Sequence, residues 1–271
     1  MSCIVYADTK DFYIEKEVST EPLPATHHHR SYELYYLVRG EREYFIEDRF
    51  YVVREGDLVF IPREVFHRTA GDGGLRFLVH FTDSFLHKFF TDATLQSLLQ
   101  GIPSVFRGNA RDRDTIAGLL ESLLLAYMGT DRELSAQDEA LLSGYLHQLL
   151  FIAVHGTNAY SPHADSDERI TRIIQYINEN YSHITDITQI ATHFYISKYH
   201  LCRLFTKHLG ISLISYLNTI KIREACAMLR SGCGNMTQIA LQCGFNSSSY
   251  FCKIFKKERG ISPTEYRKQH H

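Results

Sequence analysis

Between Thr188 and Ser262 the chain repeats itself, and no other feature restricts its fold as strongly. Thr188-Gln189-Ile190-Ala191 returns as Thr237-Gln238-Ile239-Ala240, 49 residues on. Cys202-Arg203-Leu204-Phe205-Thr206-Lys207 returns as Cys252-Lys253-Ile254-Phe255-Lys256-Lys257, and Gly210-Ile211-Ser212 as Gly260-Ile261-Ser262, both 50 residues on. The slip places one extra residue in the turn of the second copy. Two copies are too few for a solenoid, whose units must stack to bury a continuous core. They form a duplicated small module.

Each copy reads as helix, tight turn, helix. Ile187, Ile190, Ala191 and Phe194 fall at helical spacing. Tyr195-Ile196-Ser197 interrupts the run, with Ser197 placed to cap a second helix. That helix is expected to bury Leu201, Leu204, Phe205 and His208 and to present Lys198, Tyr199, Arg203 and Lys207, before Gly210 ends it in a left-handed cap. In the second copy Ile239 and Ala240 precede a turn at Gly244-Phe245-Asn246 and a helix from about Ser247 to Arg259. There Phe251, Ile254 and Phe255 face inward, while Ser248, Ser249, Lys253, Lys256 and Lys257 face out. A short helix, a tight turn and a second helix with a basic outer face make a helix-turn-helix. The two motifs cover about 187–208 and 236–259. Ile214, Leu217, Ile220, Ile222, Ala225, Met228 and Leu229 predict one long helix between them, from about Leu213 to Arg230.

The pattern Ala191…Ser197-Lys198-Tyr199-His200-Leu201-Cys202-Arg203-Leu204-Phe205…Gly210 resembles the first helix-turn-helix of the AraC/XylS family of transcription regulators. Ile239-Ala240…Cys243-Gly244-Phe245…Tyr250-Phe251…Phe255-Lys256…Gly260-Ile261-Ser262-Pro263…Tyr266-Arg267 resembles its second. The resemblance spans roughly 168 to 268 and implies double-stranded promoter DNA and RNA polymerase as partners, with transcription activation as the outcome.

Charge divides the chain at the same place. From Glu168 onward there are 14 Lys+Arg against 6 Asp+Glu, whereas the residues before it hold 15 basic and 25 acidic side chains. The positive half is the one with the duplicated module, as phosphate binding requires. DNA repels the acidic half, which therefore has another task. Met1-Ser2-Cys3-Ile4-Val5 has neither a basic start nor an apolar run, so no signal peptide is expected. No apolar run approaches the ~18 residues of a membrane helix, and a cytoplasmic, membrane-free protein is the expectation. The cysteines at 3, 202, 226, 233, 243 and 252 form no C-x-x-C pair and suit reduced thiols.

Residues 1 to about 82 read as short strands. These are Tyr32–Val38, a turn at Arg39-Gly40-Glu41, Arg42–Glu47, Phe50–Val53, a turn at Gly56-Asp57, Leu58–Ile61 and Leu75–Phe81. Such spacing suggests a small barrel or jelly roll. His27-x-His29-x-x-x-Glu33 with Gly40 resembles the first motif of the cupin barrels, and Gly56, Pro62 and His67 resemble the second. Glu64 stands where that motif has glycine, and Gly71 where it has asparagine. In metal-dependent cupins the positions of His27, His29, Glu33 and His67 ligate a divalent ion; sensors of the regulator family carry similar residues with no metal, and no cofactor is expected here. Strand alternation puts Glu33 and Tyr35 on one face, making His27, His29, Glu33, Tyr35 and His67 the candidate lining of a small-molecule site. An effector is thus a further expected partner, sugars being one class.

Residues 84–100 and 112–155 turn helical. Leu119, Leu120, Leu123, Leu124 and Leu125, then Leu141, Leu142, Leu146, Leu149, Leu150 and Ile152, make two helices apolar over more than half their circumference. Such helices need cover on two sides, one from the barrel and one from a second subunit, so a homodimer is expected. Gly156–Asp167 is small, polar and contains Pro162, as suits a linker.

Within the motifs, Tyr199 and Arg203 lie one turn apart on the outer face; Arg203 is suited to bidentate contact with guanine and Tyr199 to base edges. Cys202 shares that arc at a contact position of the family, and Ser248, Ser249 and Lys253 are the equivalents in the second motif. Serines carry less directional information than arginine, so the second module is expected to specify more weakly. Lys198, Lys207, Lys256 and Lys257 are candidates for phosphate contact; Arg223 and Arg230 are read as structural. The fold class is therefore α+β in two domains. Residues 1–155 form a cupin-like barrel with a helical dimerisation segment, 156–167 a linker, and 168–271 an all-α domain with two helix-turn-helix motifs. The function read from it is a non-enzymatic, ligand-responsive, sequence-specific DNA-binding regulator. Two alternatives stay open: a metal-dependent cupin enzyme fused to a DNA-binding domain, and a ligand-independent dimeric DNA-binding protein.

Overall fold

The computed structural model describes residues 4–5, 10–19, 26–71, 73–128, 134–155, 168–232 and 234–269. Contacts divide the chain into a unit within Tyr6–His163 and a second unit that contains Ala164–His271. The expected linker at 156–167 lies outside the described residues, as do Cys3 and Cys233.

After a two-residue strand β1 (Ile4–Val5), the first unit holds β2 (Phe12–Ser19), β3 (His27–His28), β4 (Tyr32–Ile46), β5 (Arg49–Arg54), β6 (Asp57–Ile61), β7 (His67–Ala70), β8 (Gly74–Phe81) and β9 (Val105–Arg107). Everything is built on β4. Its first half pairs with β8 on one side and β6 on the other; its second half pairs with β7 and β5. With β2 beyond β8, β9 beyond β6 and β3 beyond β7, β4 belongs to two antiparallel sheets at once. The hydrogen-bonded order stays open among the described residues.

The turn expected at Arg39-Gly40-Glu41 is therefore not a turn. β4 runs through it, and the register shifts between Leu37 and Arg39. Gly40 has φ 118°, and a Cβ there would lie 2.7 Å from the Gly73 carbonyl oxygen. Facing it, Gly74 leaves no room for a Cβ, which would come within 2.2 Å of the Arg39 carbonyl. A bulge flanked by two glycines lets two backbones cross closely and bends the strand from one sheet into the other.

The two faces of β4 serve different cores. Tyr35, Leu37, Tyr44 and Ile46 meet Tyr51, Val53, Val59 and Ile61 between the sheets. Tyr32, Leu34 and Tyr36 join Phe77, Val79 and Phe81 against the helices α1 (Asp83–His87), α2 (Asp92–Leu99), α3 (Ala110–Met128) and α4 (Ala136–His155). From the long pair, Ile116, Leu120, Leu123, Leu142, Leu146 and Leu149 enter that core. Leu119 and Leu124 are half-buried, and Leu125 and Leu141 are exposed.

The second unit is all-helical: α5 (Glu168–Asn180), α6 (Ile187–His193), α7 (Lys198–Leu209), α8 (Leu213–Arg230), α9 (Met236–Gln242), α10 (Ser248–Arg259) and α11 (Pro263–Gln269). The repeat in the sequence is a repeat in structure. Asp186 and Asn235 each close a capping box at the start of α6 and α9. Ser197 and Ser247 each cap the second helix, and Gly210 and Gly260 end it in the left-handed region, at φ 73° and 77°. The extra residue of the second copy sits in its turn, between α9 and α10. Some details of burial differ from expectation. Leu201, Phe205 and Leu209 are the buried residues of α7, while Leu204 and His208 are half-buried, because the inward stripe continues as i, i+4, i+8. On α8, Ile214 is exposed and Met228 half-buried, while Leu213, Tyr216 and Leu217 beside Ile214 are buried.

Both turns contain one left-handed residue at matching positions: Tyr195 with φ 53° and Gly244 with φ 77°. In each, the next amide donates to the same helix position, Ile196 to the Ala191 carbonyl and Phe245 to the Ala240 carbonyl. A Cβ on Gly244 would lie 2.3 Å from the Ser182 carbonyl oxygen, whereas one on Gly260 meets nothing within 4 Å. Gly260→Ala should thus cost only the left-handed strain of about 1–2 kcal/mol. Gly244→Ala should add an overpacking term of about 1–3 kcal/mol. Urea denaturation of the two variants measures the difference; equal losses would mean that the approach to Ser182 is not a constraint.

Candidate nucleic-acid interface and barrel cluster

The outer face of α7 carries the residues expected there. Lys198, Tyr199, Arg203 and Lys207 are exposed, Tyr199 by 76%. Tyr199, Cys202, Arg203, Thr206 and Lys207 line one shallow depression. They are spaced i, i+3, i+4, i+7 and i+8, so a single helical face delivers them all. Thr206 was not among the candidates, although the same arithmetic reaches it. On α10, Ser249, Lys253, Lys256 and Lys257 are exposed and Ser248 is half-buried. Neither helix has an acidic residue in its first turn, and both end in basic ones. The N-terminus of each helix thus offers its positive dipole end and a serine cap to an approaching anion.

The two modules are joined by more than chain connectivity. Lys221, in the middle of α8, is buried with 4% of its surface exposed. Its ammonium donates to the Ile184 carbonyl at 2.7 Å, ahead of α6, and to the Gly244 carbonyl at 2.6 Å, in the turn of the second motif. The Phe245 ring lies 5.5 Å away. Burial pushes the ammonium pKa down to about 8. Earlier on α8, Tyr216 donates to Asn178 on α5, Asn218 to Tyr250 on α10, and Thr219 to Glu258 on α10. Arg230 donates to the Tyr266 hydroxyl on α11, a structural role as expected, and Arg223 contacts its neighbour Glu224. The thiol of Cys243 is pushed up to about 12 by burial and is inert in this core.

In the first unit, Glu33 is buried on the inner face of β4, with Tyr35 two residues on. His29 Nε2 lies 3.1 Å from the Glu33 carboxylate, His67 Nε2 3.6 Å and His80 Nε2 3.6 Å. The donor atoms of His29, Glu33 and His67 all fall within 4.8 Å of one another. His27 takes a different place: β3 pairs it opposite His67, and its ring packs on the His67 ring at 4.1 Å between centroids. His80 comes from β8, where it is the register partner of Glu33. Sequence spacing did not single it out, because 46 residues separate the pair and only the β4–β8 ladder joins them. Burial, the largest influence on Glu33, favours its neutral form; hydrogen bonds from His29 and His67 and the charges of His67 and His80 reverse this, leaving the carboxyl well below its usual range. Beyond it, burial raises the Tyr35 phenol to about 12, and its hydroxyl has no hydrogen-bond partner among the described residues.

Residues 14–150 match the AraC-like ligand binding domain, and residues 190–269 match a helix-turn-helix domain. The chain belongs to the AraC family. It is 29% identical over 248 residues to the uncharacterized HTH-type transcriptional regulator YfiF of Bacillus subtilis, covering 89% of this chain and 78% of that one. It is 26% identical to the HTH-type transcriptional activator RhaS of Escherichia fergusonii, covering 95% of both. It is also 26% identical to the arabinose operon regulatory protein of Escherichia coli, covering 95% of this chain and 84% of that one. This AraC-family protein is a DNA-binding transcription regulator with a ligand-binding domain.

Within that domain, the two departures from the cupin pattern have a backbone reason. Glu64 has φ 62° and Gly71 φ 100°, so both occupy positive-φ positions. Glu64 is held there by donating its amide to the His29 carbonyl at 2.8 Å, and its carboxylate lies 3.4 Å from His28 Nδ1. That bond offsets a strain that glycine would not feel.

Replacing Lys221 by Met keeps the length of the stem and removes the donor to both carbonyls. A loss of about 1–3 kcal/mol is expected from this change. Because the folded pKa of about 8 lies below the ordinary value of 10.5, the unfolded chain binds more protons between those pH values. Stability from this group therefore rises with pH through that window. Thermal unfolding at several pH values should show this rise in wild type and not in Lys221→Met; parallel profiles would remove the assignment.

Proposed function

We propose that α7 and α10 enter successive major grooves on one face of promoter DNA, and that a small molecule bound in the barrel sets the arrangement of two such domains in a homodimer. The observation that carries this reading is the pair of basic, exposed helix faces fixed to one helix, α8, by bonds from both modules. In α7, Arg203 is suited to guanine, Tyr199 to base edges and Cys202 to a thymine methyl. In α10, Ser248, Ser249 and Lys253 take the matching places with weaker discrimination. Lys198, Lys207, Lys256 and Lys257 meet phosphates and supply the salt-dependent part of the affinity.

His29, Glu33, Tyr35 and His67 line the effector site, with His80 added and His27 supporting from behind His67. The exposed apolar side chains of the helical segment, among them Leu125 at 71% and Phe151 at 52%, form the dimer contact. RNA polymerase is the partner through which binding becomes activation. Among the described residues no helix is long and apolar enough to cross a membrane, and the site of action is the cytoplasm. Ligand acts by population shift, favouring one arrangement of the paired DNA-binding domains.

Selection from a pool of random duplexes tests the base-reading assignment. Wild type should enrich a bipartite site with half-sites about one helical turn, ~34 Å, apart. Arg203→Ala should relax one base position in one half at a cost of about 1–3 kcal/mol. Enrichment of the same unrelaxed site by the variant would remove Arg203 from the reading face. For the dimer, sedimentation of Leu125→Glu should show monomer where wild type sediments as dimer; an unchanged dimer would place the contact elsewhere.

A further inference from the structure

The bulge of β4 is followed by a buried arginine. Arg42 stands opposite Val53, a residue of the core between the sheets, and only 2% of its surface is exposed. A second arginine comes from β8, where Arg76 is the register partner of Leu37, Leu78 that of Tyr35 and His80 that of Glu33. Directly opposed residues share a face, so Arg76 and Tyr35 look into the same space. The Arg76 guanidinium lies 5.9 Å from the centre of the Tyr35 ring, and the Tyr44 ring packs edge-on against Tyr35 at 5.1 Å. Burial pushes both phenols up, and Arg42 and Arg76 are the positive charges that act against it in each. Three polar atoms around this pair of rings are buried and lack a hydrogen-bond partner among the described residues: Tyr35 Oη, Arg42 Nε and Arg76 Nη1. The two guanidinium nitrogens can only donate, and the phenol can donate as well. Buried donors left unpaired are costly and uncommon in native interiors. Three of them around one aromatic pair describe a place for oxygen lone pairs.

Charge narrows the kind of acceptor. Arg76 is matched by Glu15 and Glu17 of β2, both paired with its Nη2. Arg42 bonds only neutral groups, the Thr69 hydroxyl at 3.3 Å and the Ser19 carbonyl at 2.8 Å, and makes no ion pair among the described residues. The Glu33 carboxylate is already faced by three imidazoles. A buried guanidinium without a counter-charge is unfavourable, so Arg42 calls for one negative charge from outside the chain. A carboxylate carries one at neutral pH, whereas a phosphate monoester carries nearly two.

We propose that the effector is a small hydroxylated monocarboxylate, its carboxylate accepting from Arg42, Arg76 and Tyr35 and a hydroxyl donating to Glu33. Glu33 and Tyr35 lie two residues apart on one strand, about 7 Å, a span that a chain of a few carbons covers. The reverse orientation would set the carboxylate against Glu33, like charge against like. The inference rests on the barrel being the effector site and names the class of molecule that site takes.

The test is thermal unfolding of the full chain, without DNA, in the presence of matched compounds. The probes are D-gluconate, D-glucuronate, D-galacturonate and L-lactate, each beside its primary amide, with D-glucose, hexanoate and D-glucose 6-phosphate as further arms. At least one of the hydroxy acids should raise the melting temperature saturably, and its amide should need at least ~10-fold higher concentration, as the loss of a charge-assisted bond predicts. Arg42→Gln should abolish that preference, and Arg42→Lys, which keeps the charge, should retain part of it. Tyr35→Phe should weaken binding of the acid without lowering the melting temperature of the free protein, because the hydroxyl it removes has no partner among the described residues. An acid-to-amide ratio unchanged in Arg42→Gln would make Arg42 structural only and overturn its role; where that variant fails to fold, Tyr35→Phe and the wild-type ratio still decide. Stabilisation by D-glucose or the amides as strong as that by the acids would overturn the anionic class while leaving the effector site in place. Preference for D-glucose 6-phosphate over every carboxylate would overturn the single charge, and hexanoate binding as tightly as the hydroxy acids would overturn the contact to Glu33. Stabilisation by none of the acids would overturn the proposal outright, whereas the duplex selection and sedimentation above decide the regulator separately, since neither uses these compounds.

Discussion

The second unit depends on one buried ammonium. Lys221 carries three donors and no acceptor, and it gives two of them to carbonyls, one at Ile184 just ahead of the first module and one at Gly244 in the turn of the second. Taking a charge out of water is costly, and charge-assisted bonds to two fixed carbonyls are what offset it. A leucine at this position would bury as readily and would leave both carbonyls without that donor. The ammonium therefore determines where the second module sits, and α8 determines how far away. Its 18 residues span about 27 Å at 1.5 Å per residue. That length is of the order of one turn of the duplex, ~34 Å, which is the spacing that the proposed entry of α7 and α10 into successive grooves asks for.

The duplication also shows how surroundings edit a repeated motif. Both turns need one left-handed residue, and each copy fills the position differently. In the first, Tyr195 stands almost wholly in solvent, and the conformational strain is the only cost. In the second, the Ser182 backbone passes so close that a side chain of any kind is excluded, and glycine remains. The same comparison applies to the outer faces. Arg203 in one copy and Ser249 and Lys253 in the other sit on helices with matching serine and glycine caps, so the backbone is held constant while the exposed side chains differ.

What was legible in the sequence follows the range of the interactions. Caps, turns and the two helix-turn-helix units are written in residues a few positions apart, and Ser197, Gly210, Gly244 and Gly260 could be placed from them. The span of α8 was legible for the same reason, its apolar positions recurring over 18 residues. On α7 the inward stripe was displaced at its end, with Leu209 buried where His208 had been expected, because periodicity alone does not say how a stripe drifts around a helix. The barrel was harder. Gly40 looks like a turn residue in isolation; that it marks a bulge depends on Gly74, which is brought opposite by pairing. His80 was invisible for a related reason: its relation to Glu33 is one of register between β4 and β8. The cupin-like spacing singled out His27, His29, Glu33 and His67; the fold brings the donor atoms of the last three within 4.8 Å of one another and leaves the His27 ring tilted against that of His67.

The shared strand also explains how a polar cluster and a helical surface can belong to one device. Along β4, Glu33, Tyr35 and Leu37 face the space between the sheets, and Tyr32, Leu34 and Tyr36 face the helices. Successive side chains on a strand cannot move independently, since they hang from one hydrogen-bonded backbone on opposite sides. Interiors packed at near-crystalline density have little slack to absorb such a shift. The backbone that carries Glu33 also carries Leu34, and Leu34 shares a core with Leu120, Leu123, Leu142 and Leu146 of α3 and α4. Among the described residues, the side chains nearest the charge cluster and those supporting the helical segment are thus neighbours in sequence. Glu33, in the charge cluster, and Leu34, in the core shared with α3 and α4, are joined by a single peptide.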